Sequence, residues 1–464
     1  MSTTVPRVPT AAPSPEVARA VEFMRRLFPE PRAFDIRLWE GTVIPGSSET
    51  ELTVVINRPG SLRRMLRPPV ELSLGEAYLR GDFDLEGEVW AAGPALEASR
   101  GAARSLREMG ALFRLWRALP TDDLPRAGER VGDVRGGDPS ASGGYGSAPA
   151  RIRAAEQSRE WDREGIRYHY DAGNDFYALF LDRRMVYSCA YFATGSEDLD
   201  TAQEQKLDLI CRKLRLRDGE RFLDVGCGWG ALVLHAAQHY GVRALGVTLS
   251  EQQYRLASQR IADAGLSDRV EVRCIDYRDL ADGPFDKMAS VGMFEHVGRE
   301  RLPEYFGHLF RLIKPGGLFL NHGIGGHPAP DRGLTGRLAR RLEPYLVGGS
   351  TFRERYIFPN GGLVAVSEAN LIAEKVGWEV RDVENLREHY AITLRHWASR
   401  LEARADEARR LGGEGMFRLW RLYMGMAAWQ FACGEFGVFQ SLLQKPTGGE
   451  SGLPLSRADI YSQS

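Results

Sequence analysis

The spacing of apolar residues divides the chain into two kinds of pattern. Near the N-terminus, Val17, Val21, Met24 and Phe28 recur at helical spacing and predict an amphipathic helix. Short runs at Phe34–Leu38 and Glu51–Asn57, the second partly alternating apolar and polar residues, predict strands. The stretch Gly75–Gly87 reads as turn-rich. Further on the pattern changes. Strands are predicted at Arg221–Val225, Ala244–Leu249, Val270–Ile275, Lys287–Val291 and Leu318–Asn321, with helices at Ala231–Tyr240 and Glu251–Ala264. Strands alternating with helices imply an α/β fold with a parallel, doubly wound sheet, whose ligands bind beyond the carboxyl ends of the strands.

Between these regions, residues 121–150 are dense in Gly, Pro, Ser and Asp, which predicts a flexible linker. The expected organisation is a disordered tail at 1–14, a small α+β module at 15–120, the linker, and a catalytic region at 151–464. The module shows no catalytic constellation. A length of 464 residues accommodates this division. The formal charge of −1 excludes a generally basic protein and argues against a nucleic-acid partner. No run of about 18 uncharged apolar residues is present, so no membrane-spanning helix is expected. Cys189, Cys211, Cys227, Cys274 and Cys433 are scattered and form no C-x-x-C pair, which argues against a disulfide framework or a metal site and suits a reducing, cytoplasmic compartment. Only Lys206, Lys213, Lys287, Lys314, Lys375 and Lys445 are lysines. The arginine excess suits phosphate recognition, and codon bias explains it as well.

Chemistry first shows in Leu223-Asp224-Val225-Gly226-Cys227-Gly228-Trp229-Gly230. A strand runs into spaced glycines and then a helix, so the backbone can turn and approach a ligand without a Cβ in the way. The G-x-G-x-G spacing after an acid resembles the S-adenosylmethionine methyltransferase signature rather than the G-x-G-x-x-G of dinucleotide enzymes. The second strand ends in Thr248-Leu249-Ser250, not in the acid that holds a nicotinamide ribose. The third ends in Asp276-Tyr277, where the acid suits an adenine contact and equally a turn cap.

Further segments carry a more specific resemblance: Tyr168–Asp171, Asn174–Tyr177, Tyr187-Ser188-Cys189-Ala190-Tyr191-Phe192, Ser290–Gly298 and Tyr356–Gly361. In this order they resemble the cyclopropane-fatty-acyl-phospholipid synthase family, which includes the mycolic acid cyclopropane synthases. The resemblance runs from about Glu156 to Gln444. It implies a Rossmann-like class I methyltransferase domain. The N-terminal module resembles the lipid-carrier-like domain of the phospholipid-acting members. The implied reaction transfers a methylene unit from S-adenosylmethionine to the cis double bond of an unsaturated phospholipid acyl chain, through a carbocation that a bound bicarbonate deprotonates to close the ring. A same-family alternative gives methylene- or methyl-branched chains, and a non-catalytic lipid-binding protein is the rival from another class.

By this resemblance the bicarbonate contacts fall on Cys189, Glu295, His322, Ile324 and Tyr390. Cofactor contacts fall on Tyr187, Ser188, Asp224, Gly226, Gly228, Gly230, Thr248, Leu249, Ser250, Gln253, Asp276 and Tyr277. Taken alone, Cys189 reads as a small buried residue and His322 as a core histidine, while Glu295 reads equally as a helix-start acid. His389 is the rival of Tyr390. Phe417, Trp420, Tyr423, Trp429, Phe431, Phe436 and Phe439 suit an acyl tunnel or plain core packing. Arg100, Arg104, Arg107, Arg114 and Arg117, with Leu106, Met109, Phe113, Trp116 and Leu119 at helical spacing, suit peripheral contact with an anionic membrane at its inner face, or an interdomain helix. Arg332–Arg341 is a second basic stretch within a segment longer than the family resemblance leads us to expect. Family resemblance also implies a homodimer.

Overall fold

The computed structural model describes residues 14–47, 50–67, 70–94, 106–121, 173–326, 352, 356–357 and 363–461. The tail, the linker, Tyr168–Asp171, Arg332–Arg341 and Phe358–Gly361 lie outside them. The chain divides into two compact units, Met1–Arg135 with Arg332–Phe352, and Gly136–Asp331 with Arg353–Ser464. Part of the first unit therefore comes from within the segment expected to be wholly catalytic.

In the first unit, helix α1 (Pro15–Leu27) starts where Ser14 Oγ accepts from the Val17 amide and Pro15 presets the first turn. Strands β1 (Asp35–Arg37), β2 (Val43–Ile44), β3 (Leu52–Ile56) and β4 (Phe83–Gly87) form a sheet in the order β2-β1-β3-β4, with only β1 and β3 parallel. The turn-rich reading of Gly75–Gly87 needs correction. Helices α2 (Ser61–Met65) and α3 (Val70–Leu79) precede β4, and only Arg80–Asp82 turns, at Gly81 with φ +72°. Gly75 serves packing instead, since a Cβ there would lie 2.2 Å from the Phe352 ring. Helix α4 (Leu106–Arg117) carries most of the amphipathic stretch, and Arg100 and Arg104 lie outside the described residues. Trp116 Nε1 donates to Arg63 O and Leu119 is buried, whereas Met109 and Phe113 are each 56% exposed.

The second unit holds a sheet in the order β11-β12-β9-β8-β5-β6-β7. Its strands are β5 (Arg221–Val225), β6 (Arg243–Thr248), β7 (Val270–Cys274), β8 (Phe285–Val291), β9 (Ile313–Gly326), β11 (Glu379–Asn385) and β12 (Gly437–Gln444), with the short β10 (Val364–Ala365) pairing β9. Strands β5 to β9 are mutually parallel, and the doubly wound α/β expectation holds for them. Two further strands, β12 and β11, join antiparallel at the β9 side. They escape the sequence pattern because β11 (EVRDVEN) is a charged edge strand and β12 is separated from an apolar helix only by the short turn Gly434–Phe436.

Helix α5 (Asn174–Tyr177) is followed by α6 (Leu199–Leu214), capped by Asp198 Oδ1 on the Thr201 amide at 2.8 Å. Helices α7 (Ala231–Tyr240), α8 (Glu251–Asp263), α9 (Leu302–Leu312) and α10 (Val366–Val376) alternate with the parallel strands. A last antiparallel pair, α11 (Arg387–Ala403) and α12 (Ala405–Cys433), lies between β11 and β12 in sequence. The core forms two layers. Phe222, Val233, Ala236 and Ile210 belong to one cluster, and Leu223, Met288, Phe306 and Phe319 to the other. Because adjacent β5 residues enter different clusters, both faces of the sheet are covered. The ends of β5, β6, β7 and β8 are left as the open rim.

Candidate active site

At the carboxyl end of β5 the chain turns through Gly226 (φ +85°), Gly228 (φ +54°) and Gly230 (φ +81°) before α7 begins. A Cβ on Gly226 would stand 3.0 Å from Met293 Cβ, and the left-handed φ adds strain for any other residue. This turn forms one wall of an open cleft of about 1200 Å³, a volume that takes in solvent at its mouth. Asp224, Thr248, Gln253, Asp276, Tyr277 and Lys206 are among its lining residues. Asp224 is 2% exposed, and its Oδ1 has no hydrogen-bond partner among the described residues. Burial pushes its carboxyl up to about 7 against the pull of Lys206. Thr248 Oγ1 donates to Gln253 Oε1 at 2.7 Å, which turns the Gln253 amide nitrogen away from Thr248. Asp276 meets both sequence readings: its Oδ1 caps the Arg278 amide at 2.9 Å, and the residue also lines the cleft.

A second cavity of about 870 Å³ adjoins the first, sharing Tyr187, Ser188, Gly292 and His296 in its lining. Cys189, Glu295, His322, Ile324 and Tyr390 all line it, although they come from a loop, a short 3-10 turn, β9 and α11. Glu295 Oε1 accepts the Ile324 amide at 2.6 Å, and Oε2 is buried with no hydrogen-bond partner among the described residues. Burial pushes Glu295 up to about 7, and the Ile324 bond only partly offsets it. Burial also holds the Cys189 thiol well above its usual range and His322 well below its own. His296, partly buried between the two cavities, is pushed down to about 4 by desolvation. At neutral pH, thiol and imidazole are uncharged and Glu295 is near half-protonation. Aromatic rings complete the wall: Tyr390 lies 4.6 Å from Phe431, centroid to centroid, and Tyr423 and Phe436 face the same space.

Residues 157–441 match the family model for mycolic acid cyclopropane synthetase. The chain belongs to this family. It is 37% identical over 428 residues to a probable fatty acid methyltransferase of Pseudomonas putida, covering 92% of this chain and 95% of the relative. It is 36% identical over 289 residues to the cyclopropane-fatty-acyl-phospholipid synthase of Escherichia coli K12, covering 62% of this chain and 69% of that one. Among solved structures, mycolic acid cyclopropane synthase CmaA1 complexed with SAH and CTAB superimposes with a TM-score of 0.56 at 35% identity, over 61% of this chain and 98% of that chain. The second unit is accordingly a Rossmann-like class I methyltransferase domain, and the chain is an S-adenosylmethionine-dependent methyltransferase of the mycolic acid cyclopropane synthetase family.

Within this family frame, the residues fit the cofactor: Asp224 offers a buried, unsatisfied carboxylate oxygen suited to an ammonium, and the turn at Gly226 leaves room for a close backbone approach. Two residues expected at the cofactor do not line the cleft. Gly230 is the left-handed N-cap of α7, where a Cβ would stand 3.1 Å from Ala257 Cβ, and Ser250 caps α8 through the Gln253 amide at 3.3 Å. Ile324 lines the second cavity, but its amide is committed to Glu295, so it acts there by holding that carboxyl. Tyr390 faces the cavity, whereas its rival His389 accepts the Phe192 amide at 3.1 Å through Nδ1 and stacks on Tyr191. Of the aromatic stretch, Tyr423, Phe431 and Phe436 line the cavity, Trp420 packs against Phe176 and Phe180, and Phe439 abuts Gly325.

Lys206 was not singled out by the sequence reading. It is 1% exposed, lines the cofactor cleft and donates to Ser188 Oγ at 2.8 Å, and burial lowers it to about 8. Its signal is visible in retrospect, because Ala202, Lys206 and Ile210 share one face of α6 at i, i+4 spacing.

Proposed function

We propose that this enzyme alkylates the cis double bond of an unsaturated phospholipid acyl chain and closes a cyclopropane ring. The observation that carries the reading is the convergence of Cys189, Glu295, His322 and Tyr390 on one aromatic-walled cavity beside the cofactor cleft. S-adenosylmethionine supplies an electrophilic methyl group to the alkene, leaving a cation on the acyl chain. Rings at Tyr390, Tyr423, Phe431 and Phe436 face that cation without hydrating it, and their bulk excludes the water that would quench it. Ring closure needs a base for one proton of the new methyl group. The donor set around the cavity suits a small anion of the bicarbonate type: a thiol, a neutral imidazole, a phenol and a carboxyl that protonates near pH 7 put no full negative charge against it. Such an ion, held by Cys189, Glu295, His322 and Tyr390, would supply the proton acceptor.

The branched-chain alternative has its own support, since the Pseudomonas putida relative that covers most of this chain is named a probable fatty acid methyltransferase. For membrane access, exposed Met109 and Phe113 on α4, beside Arg107, Arg114 and Arg117, suit an anionic lipid surface. Among the described residues no helix is long and apolar enough to cross a membrane. Expression in a host lacking such lipids, followed by proton NMR of extracted acyl chains, tests the reading. Upfield ring-proton signals are expected. Vinylidene signals, or methyl branches without ring protons, would overturn ring closure, and unmodified chains would overturn the transfer itself.

A further inference from the structure

Three side chains outside the cavity stand behind His322. Strands β11, β12 and β9 are antiparallel neighbours, and their register sets Glu384 opposite Gln440 and Gln440 opposite His322. From α6, Lys213 reaches this row, ion-pairing with Glu384 and donating to Gln440 Oε1 at 2.7 Å. Lys213 and Gln440 are each 1% exposed and His322 is 2% exposed, so water does not compete for the contacts that join these three.

The chemistry of these groups leaves little freedom. An ammonium only donates, so the Gln440 oxygen must face Lys213. The amide nitrogen is then the group 3.1 Å from His322 Nδ1. An amide nitrogen donates, so Nδ1 must accept and carries no proton. Burial, Lys206 and Lys213 all disfavour the imidazolium. A neutral ring with a bare Nδ1 carries its proton on Nε2. Burial lowers the Lys213 pKa and the Glu384 carboxylate opposes it, favouring the ammonium, so the order runs from a partly exposed carboxylate to the cavity wall.

We propose that Lys213 and Gln440 are positioning residues that lock His322 as the Nε2–H tautomer, so that it presents a hydrogen-bond donor to an anionic or carbonyl-type oxygen in the cavity and cannot itself serve as the base. This rests on the function proposed above, in which His322 contacts the proton acceptor. It adds that the tautomer is set before any ligand arrives, by residues that touch neither substrate nor cofactor.

The test uses the full chain with 15N-labelled histidine, because the two ring nitrogens report protonation separately. Wild-type enzyme should show His322 protonated at Nε2 and bare at Nδ1 without any ligand. In Gln440→Glu a carboxylate replaces the amide donor, drawing a proton to Nδ1. Its kcat for acyl-chain alkylation should fall roughly tenfold to a hundredfold, with S-adenosylhomocysteine affinity by calorimetry unchanged as the check on folding. Lys213→Met should give mixed tautomers and a smaller loss, and Lys213→Arg, which keeps a donor for Gln440, should restore the wild-type spectrum and rate. Protonated Nδ1 in the wild type would overturn the proposal. So would a Gln440→Glu enzyme with reversed tautomer and unaltered kcat, a result that leaves the functional reading standing. Conversely, a locked tautomer in an enzyme that transfers nothing to acyl chains would sink the functional reading, and with it the positioning role in that reaction.

Discussion

Glu295→Gln should separate the proposed catalytic use of this carboxyl from its cost to the fold. Burial raises its pKa from 4.5 to about 7. Between these values the unfolded chain has released the proton and the folded chain retains it, so stability falls as pH rises through that window and levels off above it. A shift of that size corresponds to about 3 kcal/mol. Glutamine cannot ionise, yet its oxygen can still accept the Ile324 amide in the place of Oε1. The variant should match the wild type near pH 4 and exceed it by about 3 kcal/mol at pH 8. Urea unfolding of the intact protein, followed by tryptophan fluorescence at several pH values, measures the difference. Turnover should meanwhile fall by roughly two to three orders of magnitude, with S-adenosylhomocysteine affinity nearly intact. Parallel stability curves for the two proteins, or equal losses of turnover and cofactor affinity, would refute the reasoning.

Asp224 gives a second pH signature, of opposite use. Its carboxyl, raised to about 7, must ionise to hold the cofactor's ammonium, so affinity for S-adenosylhomocysteine should increase as pH rises from 6 to 8, by roughly tenfold. Calorimetry on Asp224→Asn should show weaker binding and a flat profile, and a wild-type slope of the other sign would contradict the assignment. On α4, Met109→Asp and Phe113→Asp remove side chains that are each 56% exposed. Sedimentation with anionic phospholipid vesicles should show roughly a tenfold loss of binding for each, while circular dichroism stays unchanged; undiminished binding would remove the membrane role of this helix.

How much of this was legible beforehand follows from the range over which each feature is determined. Strands β5 to β8 and helices α7 and α8 lie within a residue or two of their predicted positions, because alternating periods and glycine turns are local signals. Strand β9 begins five residues earlier than predicted, at Ile313, since Pro315, Gly316 and Gly317 read as a break; the pairing with β8 absorbs them as a register shift. The cavity residues were reached through motifs rather than geometry. No local pattern tells that Cys189 and Tyr390, two hundred residues apart, line one wall, or that the Ile324 amide is spent on Glu295.

The residues behind the wall divide differently. Lys206 and Lys213 are one heptad apart on α6, both buried, in a chain with few lysines. A charged residue on an apolar helix face is visible in sequence, because burying an ammonium is costly unless something nearby needs it. Gln440 gives no such signal. Its meaning comes from the register of three strands whose sequence order, β9, β11, β12, is not their order in space. One residue of slip in β12 would turn Gln440 to the opposite face and break the link between Lys213 and His322. The antiparallel pair appended to the parallel sheet therefore does more than cover β9: it sets the protonation of a histidine that the motif alone could only name.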